Sequence, residues 1–194
     1  MKLIKQLILT ITLLSIYSCT LDYYAKPKVT YETRYNNLYN QLKLEHKWLN
    51  QSIYNKISKN LNLYNITDND EKLYLMNTLV WLIDKESLHG TRFTGILCKV
   101  YLHRNGIEVI EYHRARGYMQ VMIYNTTLTD EEEYKLYDLD INLYWGIKTF
   151  MRGYIRANRN IEITLKNYNS GENSDYFNWD YINYIIDNSN KFSL

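Results

Sequence analysis

The chain has 194 residues, room for one domain and a short leader. A hydrophobic content of 46%, with 21 Tyr and a single Pro, excludes a disordered chain and supplies enough apolar surface for one core. The 23 basic and 21 acidic side chains nearly cancel to +2, so charge offers no basis for a nucleic-acid partner.

Lys2 and Lys5 precede an apolar run from Leu7 to Ile16, which is too short to cross a bilayer and reads as an export signal. The run ends in Ile16-Tyr17-Ser18-Cys19, which resembles a bacterial lipoprotein processing box. Residues 1–18 are then the signal peptide and Cys19 the lipidated first residue, which implies a bacterial envelope protein anchored to a membrane and facing the periplasm. An ordinary cleaved leader with an incidental cysteine is the alternative. Residues 19–33, around Lys26-Pro27-Lys28, lack periodicity and serve as a tether to a folded domain over 34–194. Cys98, the remaining thiol, can form neither an internal disulfide nor a multi-cysteine metal site, and its apolar surroundings make it a buried hydrophobe.

From about Tyr31 to Leu63 the spacing of Tyr35, Leu38, Leu42, Trp48, Ile53 and Ile57 predicts helix, long enough to break into two. Thr67, Asp68 and Asp70 are N-cap candidates for a heavily apolar helix through Leu73, Leu79 and Ile83 that ends near Glu86. Ile96, Cys98, Val100 and Leu102 alternate up to Asn105-Gly106, and Ile107, Val109 and Tyr112 resume beyond it. This predicts a hairpin, because a two-residue type I′ turn needs positive φ at both positions. The Asp130 to Glu133 run suits a helix start by complementing the dipole. Helix is expected again over about 141–155, capped by Asp138 or Asp140, then over 160–168 and 174–186 with Gly171 as the stop between them. The class expected is α+β, predominantly helical with one small hairpin.

Four pieces stand in order along the chain. They are Glu86-Ser87; Gly117-Tyr118-Met119-Gln120; Asn142 with Gly146; and Tyr168-Asn169-Ser170-Gly171. Together they resemble the soluble lytic transglycosylases of the lysozyme superfamily. In that family a Glu-Ser pair ends a buried helix, a Gly-Leu-Met-Gln-type turn lines the cleft, an Asn-x-x-x-Gly helix packs behind it and a Tyr-Asn-x-Gly element closes it. The departures are Tyr118 for Leu, Ile123 for Pro, and Asn167 and Ser170 where small residues are usual. In addition 34 positions separate Glu86 from Gln120, more than the family typically shows, and the surplus coincides with the hairpin, implying an enlargement beside the cleft.

The resemblance implies a lysozyme-like fold and cleavage of the β-1,4 bond between N-acetylmuramic acid and N-acetylglucosamine in peptidoglycan. Glu86 would be the single acid/base: it protonates the leaving oxygen, the substrate's N-acetyl group stabilises the cationic intermediate, and the carboxylate then takes the C6 hydroxyl proton to close a 1,6-anhydro ring. A carboxyl after Trp81, Leu82 and Ile83 in an apolar helix has its pKa raised by desolvation, as the task requires. Tyr168 would sit near the acid or the N-acetyl group, while Ser87, Gly117, Tyr118, Met119, Gln120 and Asn169 would line the glycan site. Taken alone, Glu86 is a solvated helix-end charge and Tyr168 a packing residue; the ordered set argues otherwise.

No metal or cofactor is expected, because His89, His103 and His113 match no standard ligand spacing. Two alternatives stand beside the transglycosylase. A hydrolytic muramidase of the same fold would use a second carboxylate, Asp84 or Glu108, to place a water. A non-catalytic envelope lipoprotein would only bind glycan.

Overall fold

The computed structural model describes residues 29–89, 96–104 and 107–192, and for 87–89, 96–104 and 108–113 the backbone alone. Residues 1–28, with the export signal, Cys19 and most of the tether, lie outside the described residues, as do Asn105-Gly106 and the side chain of Cys98. Packing separates the chain up to Arg34 from a unit running from Tyr35 onward, which carries everything below.

The class is α+β, mostly helical with a small antiparallel sheet. The long helical pattern near the start does break in two, into α1 (Tyr31–Glu45) and α2 (Gln51–Leu61). Asn50 causes the restart, its side chain accepting from the Ile53 amide at 3.0 Å and satisfying one of the orphan donors of the first turn. Helix α3 (Asn69–His89) begins where Asp68 accepts from the amides of Asp70 and Glu71 at 2.7 and 3.2 Å. Leu73, Leu75, Met76, Leu79, Val80, Trp81, Leu82 and Ile83 are all buried, so α3 is apolar around its circumference and is the central helix of the core.

The hairpin strands β1 (Ile96–Arg104) and β2 (Ile107–Arg116) pair antiparallel from Ile96 opposite Ala115 to Arg104 opposite Ile107. Strand β2 then pairs with a two-residue strand β3 (Val121–Met122), Arg116 opposite Val121. The turn expected at Gly117–Gln120 is thus the connection of a tight hairpin, whose short second strand was not anticipated.

The acidic run opens a 3₁₀ segment, Asp130–Tyr137, rather than an α-helix. Within it the Glu132 carboxylate accepts from the Thr129 amide at 3.2 Å, and Arg116 reaches across to Glu133 and, at 2.6 Å, to the Tyr137 hydroxyl. Helix α4 (Leu139–Arg156) is capped by Asp138, which accepts from the amides of Asp140 and Ile141. Asn160 caps α5 (Ile161–Ser170) through the Ile163 amide at 3.0 Å, and Gly171, at φ +86°, ends it. The last helix, α6 (Trp179–Asn190), starts five residues later than expected: Asn178 caps it through the Tyr181 amide, and 172–178 form a loop.

Helix α6 runs antiparallel along α3, and three side-chain bonds zip the two together. Asn77 donates to the Ser189 carbonyl at 2.5 Å, Tyr184 to Asp84 at 3.3 Å and Tyr181 to Glu86 at 2.5 Å. The last turn of α3 is therefore held at both of its carboxylates by one neighbouring helix. No helix among the described residues is long and apolar enough to cross a membrane.

Candidate active site

The Gly117–Gln120 turn is built onto α4 by one side chain. Asn142 is fully buried; its carbonyl oxygen accepts from the Met119 amide at 2.8 Å, and its amide donates to the carbonyls of Arg116 at 2.8 Å and Leu136 at 2.9 Å. One asparagine thus satisfies three buried backbone groups of an irregular segment, each of which is costly to bury unpaired. Gly117 has φ +76°, and a Cβ there would lie 2.6 Å from Asn142 Cγ, so both conformation and space demand glycine. One helical turn along from Asn142, Gly146 leaves room for Met119: a Cβ at Gly146 would stand 2.5 Å from Met119 Sδ and 2.6 Å from its Cβ. The Asn-x-x-x-Gly spacing is a seat for the turn.

Gln120 closes the turn at φ +46°, a left-handed conformation that is strained for a side chain of this kind. Its amide nitrogen folds back onto the Gly117 carbonyl at 2.7 Å, and its backbone N–H donates to the same oxygen at 3.2 Å. This side chain therefore helps to hold the turn.

Glu86 lies in the last turns of α3 with 6% of its surface exposed. Burial pushes its carboxyl up to about 7, against the opposing effects of the Tyr181 hydrogen bond and the Lys85 charge. Tyr181 Oη donates to Oε1. Among the described residues no side chain bonds Oε2. The Tyr181 phenol is itself pushed well up by burial and by the Glu86 charge, so it stays a donor throughout the range in which Glu86 titrates.

Tyr168, near the end of α5, donates to the Met119 carbonyl at 2.6 Å and meets Phe150 edge-on. Burial and then the Glu86 charge raise its phenol, which makes Tyr168 an electrostatic neighbour of the acid although its hydroxyl is bonded to the turn. The direct partner of the acid is Tyr181, which sequence reasoning missed. Its only local signal is its place with Ile182 and Ile185 on the buried stripe of α6.

Tyr168, Met119, Gln120, Gly117, Asn142 and Gly146, distant in sequence, thus form one packed group, and Glu86 is linked to it through its electrostatic effect on Tyr168. Tyr118 is partly exposed between its buried neighbours, Asn169 is exposed at the end of α5 beside Ser170, and Ser87 follows Glu86 on α3 with its side chain outside the described residues.

Asp84 has a different environment. It accepts from His46 Nδ1 and Trp48 Nε1, each at 3.1 Å, and from Tyr184. Burial pushes its carboxyl up, but the hydrogen bonds from His46 and Trp48 outweigh this and hold it below the usual value. Two acids on α3, two positions apart, are thereby tuned apart, one raised toward neutrality and one held anionic. Two positions on a helix differ by ~200° in direction, so the sides they face differ as well. The side chains of Glu108, His89, His103 and His113 lie outside the described residues.

Compared with models of protein families, with curated proteins and with solved structures, the chain gives no significant match.

Proposed function

We propose that the protein is a lysozyme-like peptidoglycan lytic transglycosylase, carried as a lipoprotein on the bacterial envelope, with Glu86 as its single acid/base. The observation that carries this is the buried Glu86 carboxyl, raised to about 7, bonded at Oε1 by Tyr181 and electrostatically coupled to Tyr168, whose hydroxyl holds the Gly117–Gln120 turn. A value near neutrality suits both halves of the reaction, since the same group must first give a proton and then take one.

In the first half, Glu86 protonates the glycosidic oxygen from Oε2 as the bond to C1 of the N-acetylmuramic acid breaks, and the acetamido oxygen of that sugar closes on C1. The Tyr181 hydroxyl steadies the charge that then forms on the carboxylate. In the second half the carboxylate removes the C6 hydroxyl proton as O6 attacks C1, expelling the acetamido oxygen and leaving the 1,6-anhydro product. The proton taken by Glu86 resets it for another cycle. The chain's residues supply all the acid/base steps, and no metal or cofactor enters.

Hydrolysis would need a second carboxylate to place a water. Asp84 is committed to three donors of its own, which argues against it as that carboxylate; the side chain of the other candidate, Glu108, lies outside the described residues. The test is mass analysis of products from purified peptidoglycan. Anhydro ends are expected; reducing ends would mean a muramidase, and no release a binding protein.

A further inference from the structure

The loop between α5 and α6 exposes three aromatic rings in succession. Tyr176 is exposed, Phe177 is 37% exposed and Trp179 is 50% exposed, with Phe177 and Trp179 stacked at 5.1 Å between centroids and 21° between planes. Leaving such area in water forgoes stabilisation that a polar loop would not sacrifice, and a contiguous aromatic patch of this kind marks a binding surface.

The loop is fixed in place. Arg156 forks onto Glu172 at 2.8 and 3.1 Å, Ser174 Oγ accepts from the Tyr176 amide, and Asn178 caps α6. Beneath it Lys166 is 6% exposed, with no carboxylate in ion-pair reach among the described residues. Its ammonium donates to the carbonyls of Gly171 and Glu172, each at 3.3 Å, and stands 5.6 Å from the Phe177 centroid. Burying a cation without a counter-charge is costly, and here its bonds go to holding this loop. The rings are therefore presented already ordered, which spares a ligand the entropy of arranging them.

The loop joins the end of α5, which carries Tyr168, to the start of α6, which carries Tyr181, the two tyrosines coupled to Glu86. A pyranose ring has an apolar C–H face of slightly positive character, which matches the negative face of an indole, and hydroxyl and acetamido edges, which need hydrogen-bond partners. Asn173 and Asp175, exposed in the same loop, offer such partners.

We infer that Phe177 and Trp179 form a glycan subsite beyond the one at Glu86, on which a neutral N-acetylhexosamine ring of the strand stacks against Trp179. It rests on the glycan-cleaving function proposed above. The test uses the full chain in a Glu86→Gln background, so that strands bind uncut, with cosedimentation on purified peptidoglycan sacculi. Trp179→Ala is expected to weaken binding ~10-fold, Trp179→Phe to retain most of it, and Phe177→Ala to fall between. Unchanged thermal midpoints check that the variants fold. If Trp179→Ala binds sacculi like its parent while the unsubstituted protein still releases anhydro products, the subsite is wrong and the function stands. If the unsubstituted protein neither binds nor cuts sacculi, both fall. If Trp179→Ala loses binding to phosphatidylcholine vesicles and keeps binding to sacculi, the rings contact membrane and the subsite is overturned.

Discussion

Tyr181 Oη donates to Glu86 Oε1 at 2.5 Å, joining the first turn of the last helix to the last turns of the central one across 95 positions of sequence. The bond favours the charged carboxylate and so restrains the rise in its pKa that burial causes. Tyr181→Phe removes the donor and keeps the ring. The alkaline limb of the pH-rate profile is expected to move upward, because Glu86 then ionises at higher pH, and the rate to fall ~10-fold as the developing carboxylate loses its donor. A limb that stays in place would show that the bond does not reach the ionisation of the acid.

Glu86 couples activity to stability. Its folded value of about 7 lies above the unfolded 4.5, so the folded chain binds the extra proton between those values. The stability tied to the neutral carboxyl is then fully present below 4.5 and is lost as pH rises through 7, with a difference of ~3 kcal/mol once both states are ionised. Glu86→Gln mimics the neutral form. It is expected to lower the rate by ~10²–10⁴-fold, spare glycan binding, and flatten the fall in stability between pH 4.5 and 8. Urea unfolding of both proteins at the two pH values measures this, and equal pH dependence would contradict a buried, neutral Glu86.

Asn142 serves three backbone groups of the Gly117–Gln120 turn and its neighbours. Asn142→Ala strands them in the interior, and a loss of ~3 kcal/mol or more is expected, in line with the cost of buried unpaired groups. Denaturant unfolding gives the value. A loss below ~1 kcal/mol would mean that the turn holds its shape without this seat.

Under the proposed function, lipidation at Cys19 would tether the protein beside peptidoglycan. Cys19→Ala, expressed in a bacterial host, is expected to appear in the soluble fraction, whereas the unaltered chain partitions into detergent. Full retention of the variant in the detergent phase would contradict the anchor.

Much of the fold was legible because its causes are local. Asp68, Asp138 and Asn160 cap helices through amides two or three residues away, Gly171 stops α5 within one turn, and alternation with a two-residue gap sets β1 against β2. The start of α6 was misjudged because Ser174 and Asp175 are also capping types, and only the bond from Tyr181 to Asn178 chooses between them. Gly117, Gln120, Asn142 and Gly146 could be singled out by motif, but why they belong together required the packing: the missing Cβ of Gly146 is the space that Met119 fills. Tyr181 could not be picked from 21 tyrosines, since nothing nearby in sequence marks it. The antiparallel docking of α6 on α3 brings its hydroxyl to Glu86 and that of Tyr184 to Asp84, while the burial of Glu86 and the His46 and Trp48 donors on Asp84 push the two carboxyls in opposite directions. A carboxyl's charge depends on its solvation and its hydrogen-bond donors, and both are supplied here by segments remote in sequence.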